Sequence, residues 1–269
     1  MTLKRAGVFC LLLAASFAPP GLHAQTAAPP PAAANDLGVA VEIEPQALAI
    51  LKGMADALTA ARTMQFRAVA TYESPARTGV PLAYMVQSDV TMQRPDRLRV
   101  TSPGDGPATV FNYDGKTMQA FDPAARLLAV ADAPPTIDAM LKQAFDQAAI
   151  YFPFTDVLLA DPMAALSDGM KLAFVVGRSV VVGAVPTDIV VFASDAVHVQ
   201  VWIGVDDKLP RMVRASFADD PGRFRHVVEL SNWQVNKPLP ADAFAPPAGP
   251  DTPAAAFARP DSAPQAKAK

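Results

Sequence analysis

Residues 108–122 read Ala108-Thr-Val-Phe-Asn-Tyr-Asp-Gly-Lys-Thr-Met-Gln-Ala-Phe-Asp122. Two short runs, Ala108–Tyr113 and Thr117–Phe121, flank the pair Asp114-Gly115. An Asp-Gly pair between runs of this kind is a strong hairpin signal, because a type I′ turn needs positive φ at both central residues. The expectation is two antiparallel strands joined by a turn centred on 114–115. Asp122-Pro123-Ala124-Ala125 then reads as a second turn, with proline preset at its second position.

The period of two continues upstream of this hairpin. Arg97–Thr101 is one candidate strand, and Leu82, Tyr84, Val86, Ser88, Val90 and Met92 mark another. Met64, Phe66, Ala68, Ala70 and Tyr72 alternate with Gln65, Arg67, Val69 and Thr71, which is the pattern of a half-buried strand. Before it, Ala47, Ile50, Leu51, Met54, Leu58 and Ala61 recur at helical spacing behind Pro45, a residue suited to the first helical position.

Downstream the sheet pattern stops. Pro134-Pro135-Thr136 opens a helix with Ile137, Met140, Leu141, Ala144, Phe145 and Ala148 on one side. Asp138, Lys142 and Asp146 fall four apart on the other side, the spacing of a solvated helix face. A short helix over Thr155–Ala160 and a turn at Met163–Leu166 complete a helical insertion. After Gly169 the strands resume as Lys171–Val176, Ser179–Val182, Asp188–Ala193, Val197–Ile203, Met212–Phe217 and Phe224–Trp233. Many short strands joined by turns at close spacing favour a strongly curved sheet or barrel. The fold class is therefore α+β, a curved antiparallel half-barrel of about ten or eleven strands. An N-terminal helix precedes it and a mid-chain helical lid interrupts it.

The ends of the chain differ from this body. Residues 1–24 hold Lys4 and Arg5, no acidic group, and an apolar stretch from Val8 to Phe17, the pattern of a secretory signal peptide. Residues 25–44 form an Ala/Pro-rich linker, 45–249 the folded domain and 250–269 a disordered tail. Six of the 27 prolines lie in residues 1–45 and eight in 238–269, which is why both ends read as linkers. No later segment is apolar for long enough to span a bilayer as a helix. The one cysteine, Cys10, falls inside the signal, so disulfides, cysteine nucleophiles and Cys-ligated metals are excluded from the mature chain.

The net charge of −3 becomes more negative once Lys4 and Arg5 leave with the signal, which argues against a nucleic-acid partner. Ser194, Asp195 and His198 are the residue types of a hydrolytic triad. However, no Gly-x-Ser-x-Gly elbow accompanies them, and His198 reads as a strand residue beside Gln200 and Trp202. Asp206-Asp207 and Asp219-Asp220 lack the companion oxygen ligands of a calcium loop and read as turns. No catalytic residue, metal site or cofactor is assigned.

Several strings, taken in order, resemble the LolA-like superfamily and, within it, the DUF2092 family of exported proteins. They are Arg94-Pro-Asp-Arg-Leu-Arg-Val100, Tyr113-Asp-Gly-Lys-Thr117 and Phe121-Asp-Pro123, then Leu209-Pro-Arg-Met212 and Val227-Val-Glu-Leu-Ser-Asn-Trp-Gln-Val-Asn236. Pro240-Ala-Asp-Ala-Phe244 and Pro246-Pro-Ala-Gly249 close the series. The resemblance implies a half-barrel whose concave side is lidded by helices and binds acyl chains, in a Gram-negative periplasm. It also implies an arginine that gates the cavity by bonding to the lid, for which Arg67, Arg97 and Arg99 are candidates by position.

The residues expected to line an apolar cavity are the large soft ones where lid and sheet would meet. These are Phe66, Tyr84, Val86, Met92 and Phe111 on strands, and Met140, Leu141, Phe145, Phe152, Phe154 and Leu158 on the insertion. The leading expectation is a monomeric, non-enzymatic binder of a lipid, an acyl chain or a lipidated protein. It has no nucleic-acid partner, and any membrane contact is transient. The alternative is a periplasmic protein-interaction or sensor module with a closed core.

Overall fold

The computed structural model describes residues 42–77, 79–103 and 108–259. The expected signal peptide, most of the expected linker and residues 260–269 lie outside the described residues. Helix α1 (Pro45–Ala60) leads into β1 (Thr63–Ser74), β2 (Leu82–Gln93), β3 (Arg97–Ser102), β4 (Thr109–Tyr113), β5 (Thr117–Asp122) and β6 (Leu127–Asp132). Then come helices α2 (Ile137–Ala148), α3 (Thr155–Leu158) and α4 (Pro162–Ser167). The chain returns to the sheet with β7 (Leu172–Ser179), β8 (Thr187–Ala193), β9 (Val197–Gly204), β10 (Pro210–Phe217), β11 (Arg225–Val235) and the two-residue β12 (Ala254–Ala255).

All twelve strands belong to one open sheet in the order β12-β6-β5-β4-β3-β2-β1-β11-β10-β9-β8-β7. The two sequence halves meet where β1 pairs with β11, so β1 is central although it comes first in the chain. Every pairing of these strands is antiparallel except β12 with β6. The half-barrel with an N-terminal helix and a mid-chain helical lid is the architecture expected from the period-two pattern.

Strand parity divides the sheet cleanly. Met64, Phe66, Ala68 and Ala70 of β1 are buried and lie opposite Met92, Val90, Ser88 and Val86 of β2. The same inner face continues through Leu98 and Val100 to Tyr113 and Phe111, and then to Met118. Helix α2 lays Ile137, Met140, Leu141 and Ala144 into this core, and α1 contributes Ala47, Leu51, Met54 and Leu58. The cap of α2 is Thr136, whose Oγ1 accepts from the Ala139 amide at 3.3 Å.

Four local expectations are corrected. The hairpin turn is not centred on Asp114-Gly115. The Asp114 amide donates to the Thr117 carbonyl, which leaves Gly115-Lys116 as the central pair, and of these only Gly115 has positive φ (87°). The Asp114 carboxylate accepts from the amides of Lys116 and Thr117, and this holds it at the corner rather than in the middle. Second, Ser179–Val182 is not a strand of its own. A β-bulge between Val175 and Gly177 carries β7 through to Ser179, and a 3₁₀ turn follows at Val182–Ala184. Gly177, at φ 146°, thus marks a bulge and not the end of a strand.

Third, β6 is an additional strand beyond the second turn. Fourth, the chain does not lose structure at 250. The Leu128 amide of β6 donates to the Pro253 carbonyl at 3.0 Å, Ala254–Ala255 pairs along β6, and Phe257 packs against the core. An unpaired sheet edge needs partners for its backbone groups, and this segment supplies some of them.

Candidate functional site

The inner face of the sheet is filled differently in its two halves. Over β1–β5 it carries Phe66, Met92, Leu98, Phe111, Tyr113 and Met118, all buried. Facing them are Phe152 and Phe154 from the segment between α2 and α3. Phe154 meets Phe66 edge-on at 5.6 Å between ring centres, and Phe152 meets Phe111 at 5.4 Å. Phe152 and Phe154 stack at 5.6 Å, and Trp233 closes on Phe66 at 4.6 Å. Large side chains from both layers interdigitate here, so this half is a packed core.

Over β8–β11 the inner face carries short side chains instead. Val197, Val199 and Val201 of β9, Val213 and Ala215 of β10, and Val228 of β11 lie side by side in register. The helical segment 151–170 passes above them and leaves a gap over part of this face. The result is a cleft of about 270 Å³, floored by these residues and Phe192 and walled by Met54, Leu58, Val157, Pro162, Leu166 and Met170. Phe217 and His226 stand at one end, and Tyr151, Asp156, Asp168 and Ser194 supply the polar part of the lining. The volume is close to the lower limit of about 300 Å³ for small-molecule pockets.

From the end of the cleft an aromatic shelf runs across four neighbouring strands, β10, β11, β1 and β2. His226 packs edge-on against Phe217 at 5.3 Å and stacks on Tyr72 at 6.4 Å, and Tyr72 stacks on Tyr84 at 5.7 Å. Among the described residues no helix covers the far end of β2, where Leu82 and Tyr84 are exposed on the shelf side. Burial lowers the His226 imidazolium pKa, and the carboxylates of Asp220 and Glu73 only partly oppose this. Protein surrounding Asp156 raises its carboxyl pKa.

None of the eleven residues expected to line a cavity lies in this cleft. Phe66, Met92, Phe111, Met140, Leu141, Phe154 and Leu158 belong to the packed core, with Phe152 against it. Tyr84 is on the shelf, Val86 is half-buried beside Ala70, and Phe145 is 44% exposed on α2. Arg259 lies over the Phe145 ring at 5.9 Å. Large side chains fill space on this face and short ones leave it.

The lid is tied down by an arginine outside the expected three. Arg67 pairs with Asp89 at 2.7 Å on the outer face, Arg99 donates to the Ala245 carbonyl, and Arg97 lies 4.0 Å from Asp96. Arg94, in the β2–β3 turn, instead reaches the helices. Its Nη1 donates to the Leu158 carbonyl at 3.0 Å, and its Nη2 donates to Leu159 at 2.8 Å and to Leu58 at 3.4 Å. It thereby joins the ends of α1 and α3, which wall the cleft. Burial lowers its pKa, with the Asp138 charge opposing.

The triad-like residues are engaged elsewhere. Ser194 Oγ accepts from the amides of Ala196 and Val197, Asp195 pairs with Lys171, and His198 is exposed at the start of β9. Among the described residues no cluster of metal-ligating side chains occurs, and no helix is long and apolar enough to cross a membrane.

A family model described as "Predicted periplasmic protein (DUF2092)" matches residues 47–257. No curated protein matches the chain. Among solved structures, LprF from Mycobacterium bovis is similar at 18% identity and TM-score 0.47, covering 77% of this chain and 99% of that one. An uncharacterised conserved protein from Thermus thermophilus is similar at 12% identity and TM-score 0.44, over 80% and 99% of the two chains. A LolA superfamily protein from Nitrosomonas europaea is similar at 9% identity and TM-score 0.36, over 74% and 97%.

Proposed function

The chain belongs to the DUF2092 family of predicted periplasmic proteins, and from that premise we propose that it is a non-catalytic periplasmic binder of an acyl chain, carried by a lipid or a lipidated protein. The observation that carries this reading is the cleft itself, an apolar trough under a helical roof. A chain laid along the valine floor would lose its contact with water at a gain of about 0.8 kcal/mol per buried methylene. The polar groups of the lining are few and lie at its margins, so they would orient a head group without opposing entry of the chain.

Arg94 gives the roof a release point. Its guanidinium donates to three neutral carbonyls, and Nε has no partner among the described residues. A partly buried guanidinium held in this way gains from rehydration when the helices lift, which keeps the cost of opening modest.

Native mass spectrometry of the protein taken from its own periplasm, followed by lipid extraction, tests the reading. A co-purifying acyl lipid, or uptake of an added fatty acyl probe, is the expected result. A clean apo mass that takes up no acyl probe overturns it. Recognition of a protein partner is the second reading, and the exposed pair Leu82 and Tyr84 at the open end of the shelf is the observation in its favour.

A further inference from the structure

The charges around the cleft are one-sided. Residues 151–170, which form its roof, contain three aspartates and no lysine, arginine or histidine. Two of them, Asp156 and Asp168, line the cleft, and neither forms an ion pair among the described residues. The third, Asp161, is already committed as the cap of α4, where it accepts from the Ala164 amide.

The floor brings no cation to balance them. His226 is the sole basic residue of the lining, and burial favours its neutral form. The arginines of the same strands are turned away or used up. Arg214 lies opposite Gln200 on the outer face, Arg225 is held by Glu73, and Arg211 by Asp207.

Building on the acyl-binding reading, we infer that the cleft selects an amphiphile with a positively charged, amine-type head, placed between Asp156 and Asp168 with its chain on the Val199 floor, and that it discriminates against anionic heads. The ground is charge complementarity. An anionic phosphate or carboxylate head at the same mouth would meet two unpaired carboxylates and no lysine or arginine in the lining, since Arg94 is spent on the helix-end carbonyls and does not line the cleft, and a like-charge approach of that kind is penalised even at the high effective dielectric of a surface site.

Competition against the fluorescent apolar probe N-phenyl-naphthylamine tests this on the full purified chain. Three competitors with the same dodecyl chain are used below their micelle concentrations: dodecyltrimethylammonium, dodecyl maltoside and dodecyl sulfate. The expected order is cationic, then uncharged, then anionic, with the cationic and anionic competitors about tenfold or more apart at low salt and closer at high salt. The double substitution Asp156→Asn and Asp168→Asn should bring the three together without lowering the thermal midpoint, since neither carboxylate forms an ion pair among the described residues. Equal binding of all three by the unsubstituted chain, or a preference for the sulfate, overturns the charge selection while leaving the acyl-binding reading intact. A cationic preference that survives the double substitution overturns it too. If neither the probe nor the uncharged competitor binds, the acyl-binding reading fails and the inference fails with it.

Discussion

Nη2 of Arg94 lies 2.8 Å from the carbonyl oxygen of Leu159, so one side chain from a β-turn fastens the end of the short α3 helix. A helix of four residues has little intrinsic stability and stays formed through its tertiary contacts. Its last carbonyls have no intrahelical partner, and Arg94 supplies two of them while also reaching Leu58 at the end of α1. Asp138 ties α3 to α2 from the other side by accepting from the Ala160 amide. The roof of the cleft is thus held at a few polar points, and over β9–β11 it leaves a cleft beneath it.

Replacing Arg94 with Met keeps most of the apolar stem and removes the three carbonyl contacts. The expected cost is about 2–3 kcal/mol, because hydrogen bonds to a charged group are lost and partly buried acceptors are left bare. The loss should be local. Amide hydrogen exchange over residues 155–167 should speed up while β1 and β2 keep their protection. Uniformly faster exchange across the sheet would show that Arg94 supports the whole fold and not the roof.

The two halves of the inner face should respond in opposite ways to changes in volume. Phe154→Ala, in the packed half, should cost about 3–5 kcal/mol, since it removes a ring that touches Phe66 and Phe152. Val199→Trp, on the floor of the cleft, should cost about 1 kcal/mol or less and abolish uptake of an acyl probe. Denaturant unfolding and probe titration measure both effects. A destabilisation of Val199→Trp as large as that of an overpacked core, up to about 3 kcal/mol, would show that the cleft closes in solution.

The sequence pattern made the sheet legible because burial on one face imposes a period of two that any register slip would destroy. The same parity also identifies the roof arginine, although position alone suggested others. Arg67 alternates with Phe66, and Arg97 and Arg99 alternate with Leu98 and Val100, which sends all three outward. Arg94 continues the inward series of Val90 and Met92. The cleft was harder to read, because hydrophobicity marks what is buried and says nothing about whether space is left over. The usable signal was size: Val197, Val199, Val201, Val213, Ala215 and Val228 share a face on which β1–β5 carry Phe, Met, Leu and Tyr. Strand β6 was obscured because Leu127–Asp132 is rich in alanine and ends at the prolines that open α2.

Tyr113 offers a titration that reports on the packed half. Its hydroxyl donates to the Pro134 carbonyl, at the connection into α2, and burial together with the charges of Asp96 and Asp114 pushes its pKa up to about 12. Ultraviolet titration of the phenolate signal should therefore show Tyr113 ionising last of the four tyrosines, well after the usual range near pH 10, since the Tyr151 pKa is raised as well but less. Tyr113→Phe should remove that late step and cost about 1 kcal/mol through the lost hydrogen bond. If all four tyrosines ionise together while the protein is still folded, this account of the core is wrong.

His226 should make the open end of the cleft sensitive to mild acid. Its pKa is lowered in the folded chain from an ordinary value of 6.5, so the unfolded chain binds the proton more readily. The sign follows from linkage: stability is full above pH 6.5 and falls as the pH drops below it, until the folded form is protonated as well. Protonation would also place a cation against Tyr72 and Phe217 at the end of the cleft that lies on the shelf. The thermal midpoint should thus decline between about pH 7 and pH 5, and His226→Gln should flatten that decline. An unchanged slope in His226→Gln would assign the pH dependence to other groups.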